Sequence, residues 1–316
     1  MPDISVVLVS YNTIKITQTA LNSLFASVLD LAMEVFVIDN DSKDHSAETL
    51  GAEYPNIKLI ENIKNVGFGR ANNQVLPFIK GRYVLLLNTD AYVEPDTLAK
   101  TVQYMDSHSG CGILGVKLIG RDGSLQPSCR YFPTPWNIFI KRTGLKFLFG
   151  HVKMIDDLSW DHNAVRDCDW VPGCYYLIRK EVIDQVGLFD PRYFLYYEEI
   201  DHCFAAKAAG WQVTYFPETS VVHLGGESAK QKGEISSTGQ QIESLQIESE
   251  LLYFRKNYGL FVVLIHLLLD SIADMVQFSK DIVRLRSPKR ILFNLRRALF
   301  LWQMFIRTKF ATQPTL

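Results

Sequence analysis

The sequence predicts an α/β protein: a mixed, mainly parallel sheet flanked by helices, followed by a C-terminal amphipathic helical segment. Three observations carry this. Short, β-branched apolar runs alternate with longer helical patterns through the first 120 residues. Those runs are apolar at nearly every position, as strands covered on both faces must be. From Leu251 onward, apolar residues recur at helical spacing among Lys and Arg.

The elements follow in order. Ile4 to Val9 reads as the first strand, with a helical stretch from Thr17 to Leu29. Val35 to Ile38 is a second strand ending at Asp39, and a helix follows Ser46. Ile57 to Ile60 is a third strand, and Gly69 to Ile79 reads as helix. Tyr83 to Leu87 is the fourth strand, and Pro95 suits the first turn of the next helix. Ser124 to Asp169, aromatic-rich and carrying Pro127, Pro133 and Pro135, reads as a substrate-side insertion or long loop. Val171 to Ile178 is strand-like, Lys180 to Val186 is helical, and another helix starts near Glu198. Val213 to Phe216 and Val221 to His223 read as strands. Gly225 to Ser237 reads as a mobile loop.

Right-handed crossovers place every strand-to-helix loop on one sheet edge, where α/β proteins bind ligands. Three polar runs would meet there: Ser10-Tyr11-Asn12, Asp39-Asn40-Asp41-Ser42 and Asn88-Thr89-Asp90. One such run is ordinary turn or helix-cap chemistry. Three at strand ends point to a site.

Composition excludes several classes. With Lys+Arg 33 against Asp+Glu 34 the net charge is -1, which argues against a generally basic nucleic-acid binder. The neutrality hides two opposed blocks: residues 1 to 250 hold 22 basic and 31 acidic side chains, and residues 251 to 316 hold 11 and 3. The five cysteines are odd in number and lack Cys-x-x-Cys spacing, so a disulfide framework or thiolate zinc site is not expected. Met1-Pro2-Asp3 offers no positively charged leader. The longest apolar run, Leu260 to Leu269 with His266 inside it, covers about half of the ~20 residues a spanning helix needs. No transmembrane helix is expected.

Four features suggest chemistry. Asp90 closes an apolar strand in a loop without nearby cations, which suits a hard divalent ion shared with phosphate oxygens. Asn65-Val66-Gly67-Phe68-Gly69-Arg70-Ala71-Asn72-Asn73 offers backbone amides, a helix start and a cation, a combination fit for a diphosphate. It is not the Gly-x-Gly-x-x-Gly of a nicotinamide enzyme, which follows the first strand. Glu198, Glu199 and Asp201 crowd one helix start, where like charges raise one another's pKa and suit a general base. His223 ends a strand and could ligate a metal or simply pack.

In this order Val9-Ser10-Tyr11-Asn12, Val37 to Ser42, Asn65 to Asn73, Leu87 to Asp90, Gly187-Leu188-Phe189-Asp190, Phe194 to Asp201 and His223 resemble family 2 of the inverting glycosyltransferases. The likeness is nearest to the bacterial rhamnosyltransferases of surface-polysaccharide assembly and spans roughly residues 3 to 228. It implies a GT-A fold. It implies that Ser10, Tyr11 and Asn12 border a nucleotide pocket, that Asp39 bonds a pyrimidine base, and that Asp41 lies beside the nucleoside. Gly67, Arg70 and Asn72 would line the ribose and diphosphate. Asn88-Thr89-Asp90 takes the place of the family's Asp-x-Asp motif, with Asn88 where the first Asp often stands, so Asp90 and His223 would hold Mg²⁺ or Mn²⁺. The usual Glu-Asp pair is Glu198-Glu199 here, with Glu199 the implied base and Asp201 the runner-up. Trp170 and Gly173 would lie near the sugars.

The resemblance further implies dTDP-rhamnose as donor, a polyprenyl-diphosphate-linked saccharide as acceptor, and work at the cytoplasmic face of the bacterial inner membrane. The expected organisation is a catalytic domain over 1–228, a connecting segment over 229–250 and a membrane-associating region over 251–316. In that last region Ile291, Leu292, Leu295, Leu299 and Trp302 share a helix face, with Lys289, Arg290, Arg296 and Arg297 mostly elsewhere. This suits an anionic membrane surface or, failing that, packing on the catalytic domain or a homodimer seam. Two other classes compete: a sugar-nucleotide nucleotidyltransferase, which usually carries a Gly-rich basic loop after strand one, and a non-catalytic membrane-attached scaffold. Ser10-Tyr11-Asn12-Thr13 is not such a loop, and the acidic groups argue against the scaffold.

Overall fold

The computed structural model describes residues 2–27, 31–225 and 239–316. They form two compact units, Met1–Arg130 with Leu158–Ile242, and Tyr131–Asp157 with Glu243–Leu316.

The first unit is built on one sheet. It contains β1 (Ile4–Ser10), β2 (Met33–Asp39), β3 (Ile57–Glu61), β4 (Tyr83–Leu87), β5 (Ala91–Val93), β6 (Cys111–Ile119), β7 (Leu125–Gln126), β8 (Arg166–Asp167), β9 (Tyr175–Arg179) and β10 (Gln212–His223). The order is β3-β2-β1-β4-β9-β6-β10-β5, with β7 beside β6 and β8 beside β10. The first four strands run parallel, and β9 enters antiparallel between β4 and β6. The helices α1 (Ile14–Phe25), α2 (Ser46–Glu53), α3 (Phe68–Asn73), α4 (Thr97–Ser107), α6 (Lys180–Val186) and α7 (Glu198–Ala208) accompany it. Val6, Leu8, Val37, Leu85 and Leu177 are fully buried at its centre, with Leu21 and Leu24 of α1 packed among them.

Register positions the site. Ile4 pairs with Met33 and Ser10 with Asp39, so β1 and β2 stop at the same edge. On the other side Leu87 pairs with Tyr175, which brings the start of β9 to the end of β4.

The second unit contains α5 (Pro135–Thr143), a single 3-10 turn at Leu145–Phe147, most of α8 (Gly239–Val283) and α9 (Pro288–Arg307). α8 is interrupted at Gly259, whose φ of 84° is left-handed and costs a glycine little.

Several expectations are corrected. The helix expected over Gly69–Ile79 is only Phe68–Asn73, because Pro77 has no N–H to continue the ladder. The middle segment is not all loop. Pro135 starts α5, and Thr134 and Asn137 form a reciprocal capping box ahead of it. β10 is one strand rather than two, with a register shift between Phe216 and Ser220 around Pro217. α4 begins at Thr97, so Pro95 precedes it. The helix Gln241–Val283 is long and apolar enough to cross a membrane by length and composition. The expectation counted only the run around His266 and stopped at Asp270. Asp270 and Asp274 are only two charges in a long apolar stretch, so the mean hydropathy there stays high; both carboxylates are buried and paired with arginines. The expected mobile loop, apart from Gly225, lies outside the described residues, as does the expected end of the first helix at Leu29.

Candidate active site

The loops after β1 and β2 interlock. Asn12 and Asp41 both hold left-handed φ, 55° and 71°, which their short polar side chains tolerate. The Ser42 hydroxyl accepts from the Asn12 backbone N–H at 2.9 Å, and the Asn12 side-chain Oδ1 accepts from the Lys43 N–H at 2.6 Å. Ser10 is fully buried and bonds Thr17, and Tyr11 is buried above it. Asp39 is 4 % exposed. Its Oδ2 accepts the Ser42 N–H at 3.0 Å, and its Oδ1 is buried without a partner among the described residues. A buried carboxylate oxygen left unmatched is costly and suits a ligand N–H. Asp41 lies under an ion pair with Lys43.

Asn40 ties this pair of loops to the next. Its Oδ1 accepts from Asn62 and from the Val66 N–H, and its Nδ2 donates to Asn65. The glycine segment packs closely against the chain that leads into α7. Its first amides are occupied: Gly67 N–H donates to Asn65 Oδ1 and Phe68 N–H to the Phe194 carbonyl, both at 2.9 Å. Gly67 has φ 87°, and a Cβ there would lie 2.4 Å from the Phe194 oxygen. It is glycine because the chain before α7 presses against it. Arg70 donates Nε to the Pro191 carbonyl at 2.7 Å, and buried Asn72 donates to the Phe68 carbonyl, leaving its Oδ1 without a partner among the described residues. Asn73 grips Phe189 through both its N–H and its carbonyl.

Beyond β4, Asn88 takes the Cys174 carbonyl through its backbone N–H, Thr89 is buried, and Asp90 is 6 % exposed. β10 returns antiparallel to β5, pairing His223 with Ala91. His223 Nε2 then stands 3.5 Å from Asp90 Oδ1. That is an acid and an imidazole facing one another at an open edge, a donor set that fits Mg²⁺ or Mn²⁺ if phosphate oxygens complete it. No group of three or more His, Cys, Asp or Glu that could hold a metal occurs among the described residues.

The three carboxylates of α7 separate. Tyr196 and Tyr197 both adopt left-handed φ, 72° and 70°, a strained approach for aromatic residues. Glu198 is 3 % exposed beside Gly69, with Oε2 unpartnered among the described residues. Burial and then the neighbouring Glu199 push its pKa well above the usual carboxylate range. Asp201 is also buried, and its charge, after burial itself, raises the pKa of the Tyr193 hydroxyl. Glu199 alone is partly exposed. Burial raises its pKa, while its own backbone N–H, the Arg130 guanidinium and the Gly173 N–H pull it back.

Trp170 and Gly173 lie just before β9. Trp170 is 4 % exposed, pairs its backbone with Arg130, and carries the Arg130 guanidinium 4.8 Å above its ring. Burial pushes the Cys174 thiol up to about 12, with Asp90 adding to the rise and Arg130 opposing it. Asp90, Arg130 and Glu199 therefore act on one short stretch of chain. Arg130 had no local signal, since it falls where the sequence reads as irregular; Asn40 lay in view inside its motif.

Residues 5–157 match the profile of Glycosyl transferase family 2. The chain is similar to the N-acetylglucosaminyl-diphospho-decaprenol L-rhamnosyltransferase of Mycobacterium tuberculosis, 27% identical over 228 residues, covering 63% of this chain and 70% of that protein. It is similar to the rhamnosyltransferase WbbL of Escherichia coli, 28% identical over 169 residues, covering 50% of this chain and 60% of that protein. Among solved structures it resembles a mannosyltransferase from Pyrobaculum calidifontis in complex with GDP-Man and Mn²⁺, with TM-score 0.55 and 13% identity over 99% of this chain and 88% of that one. It also resembles S. aureus TarS 1-349 in complex with UDP, with TM-score 0.52 and 15% identity over 95% of this chain and 91% of that one. These likenesses share the fold seen here.

Proposed function

Because residues 5–157 match glycosyl transferase family 2, we propose that this chain is a member of that family and transfers rhamnose from dTDP-rhamnose to a polyprenyl-diphosphate-linked saccharide, with inversion. One observation carries the mechanism: of three clustered carboxylates only Glu199 is partly exposed, at the edge where β4 ends and β9 begins. Glu199 takes the proton of an acceptor hydroxyl as that oxygen attacks the anomeric carbon. The bond to the diphosphate breaks on the opposite face, and its electron pair leaves with the nucleotide. Asp39 Oδ1 accepts from an N–H of the pyrimidine. Asp90 and His223 would hold Mg²⁺ or Mn²⁺, which when bound screens the charge growing on the leaving group. The Mycobacterium tuberculosis relative names a lipid-diphosphate acceptor, which supports an acceptor of that class.

The site of action in this reading is the cytoplasmic face of the inner membrane, with the second unit peripheral to the bilayer. Support comes from the exposed apolar residues of α8 and α9 with arginines and lysines at their borders.

The test is transfer from dTDP-rhamnose alongside donor binding. Glu199→Gln should lower turnover by ~10²–10⁴ and leave donor binding intact; retained turnover moves the base to Asp201. Asp90→Ala should abolish the metal-dependent part of donor binding, and an unchanged titration removes the metal role. Stabilisation by purine nucleotide sugars alone contradicts the donor.

A further inference from the structure

Gln126 has no place in the chemistry described so far, yet both ends of its amide are spent on one residue. Its Nε2 donates to the His223 backbone carbonyl at 2.8 Å, and its Oε1 lies 2.8 Å from His223 Nδ1. A carbonyl can only accept, so the first bond fixes which end of the amide is NH₂. The second then requires Nδ1 to carry the proton. Nε2 is left with its lone pair on the side where Asp90 Oδ1 stands 3.5 Å away. We propose that Gln126 is a positioning residue for metal binding, locking the His223 ring so that Nε2 faces the ion shared with Asp90. This rests on the reading of Asp90 and His223 as metal ligands.

The fold makes this reach possible. β6 ends at Ile119, and the chain turns back through Gly120–Ser124: the Gly120 N–H donates to the Ser124 carbonyl at 2.8 Å, and Gly123 takes φ 78°. β7 therefore runs beside β6, with Gln126 opposite Leu118, while β10 pairs Val221 with the same Leu118. The amide must cross the end of β6 to meet His223. Gly120 stands there, and a Cβ on it would come 3.7 Å from Gln126 Nε2. A ring held through its other nitrogen loses less freedom on binding an ion, and such supports commonly account for about 10–100-fold in metal affinity.

The test is Mn²⁺ titration of the full chain with dTDP present, read by the electron-spin signal of free Mn²⁺. Gln126→Leu should weaken binding by about 10–100-fold. Gln126→Glu keeps an acceptor for Nδ1 but puts a charged oxygen where the donor to the carbonyl stood, so it should retain clearly more affinity than Gln126→Leu. Equal loss in both variants would reduce Gln126 to a tie between strands and overturn the proposal, as would no loss in Gln126→Leu. His223→Ala separates the two levels. If the parent binds no Mn²⁺, or His223→Ala binds as the parent does, the ligand assignment fails. If His223→Ala weakens binding and Gln126→Leu does not, only this inference fails.

Discussion

Glu198 and Glu199 are chemically identical neighbours with opposite environments. Glu198 turns inward beside Gly69, and its burial lifts its pKa well above the ordinary range. The folded chain then keeps a proton that the unfolded chain releases. Glu198 contributes its full stability below the ordinary carboxylate pKa, and that contribution drains away as pH rises toward the folded value. Glutamine has the same shape and never ionises. Glu198→Gln should melt with the parent at pH ~4 and above it by a few °C at pH ~8. Melting curves followed by circular dichroism at both pH values decide this; a constant offset would mean that Glu198 titrates normally in the fold. The cluster itself was legible in the sequence. Which member stays partly exposed was not, because it depends on how α7 is rotated against Gly69 and Gly173.

Elements were legible where periodicity was strong and lost where prolines were read only as loop markers. Pro135 illustrates this: it begins α5 because the first turn needs no proline N–H, and Thr134 supplies the cap. The glycines of the third loop were visible, but their reason was not. Gly67→Ala would drive a Cβ into the Phe194 carbonyl at a backbone angle that disfavours any side chain. It should cost about 1–3 kcal/mol and displace the entry to α7, so denaturation and turnover should fall together. Retained stability with full activity would sink that account. In the second unit Arg297 is the instructive case. It reads as a solvated cation beside an apolar stripe, yet it turns inward, bonding Asp270 at 2.9 Å, Asp274 at 3.0 Å and Glu243 at 2.8 Å. Arg142 of α5 reaches the same two aspartates. Arg297→Met leaves two buried aspartates sharing Arg142 alone and should cost up to ~3–5 kcal/mol in urea unfolding; a loss near zero would show that the network relaxes.

For the whole molecule, the uneven charge separates an acidic first block from a basic last one, and the helices show what the last one presents. α9 buries Leu301, Met304 and Phe305 on one side, while Leu299 is 66 % exposed and Ile306 65 % exposed on the other. At 3.6 residues per turn, Lys289, Arg296 and Arg307 border that outer strip. Such a face suits an interface of apolar chains and anionic headgroups. The double variant Leu299→Glu, Trp302→Glu should lower co-flotation with anionic vesicles by about tenfold or more, and salt should weaken the parent's binding. If flotation is unchanged and the variant instead alters sedimentation, the strip is a seam between copies.

What the sequence determined by itself was local and periodic: the strand runs, the polar ends that align at one edge, the family they resemble, and the charge of the last block. These follow from neighbouring residues, so backbone periodicity exposes them. The tertiary structure alone decided which carboxylate stays partly exposed, that Arg297 turns inward, and that Gln126 holds a histidine 97 residues further along the chain. Those pairings exist only once strands and helices have packed, because no spacing along a chain encodes which distant partner a side chain will face.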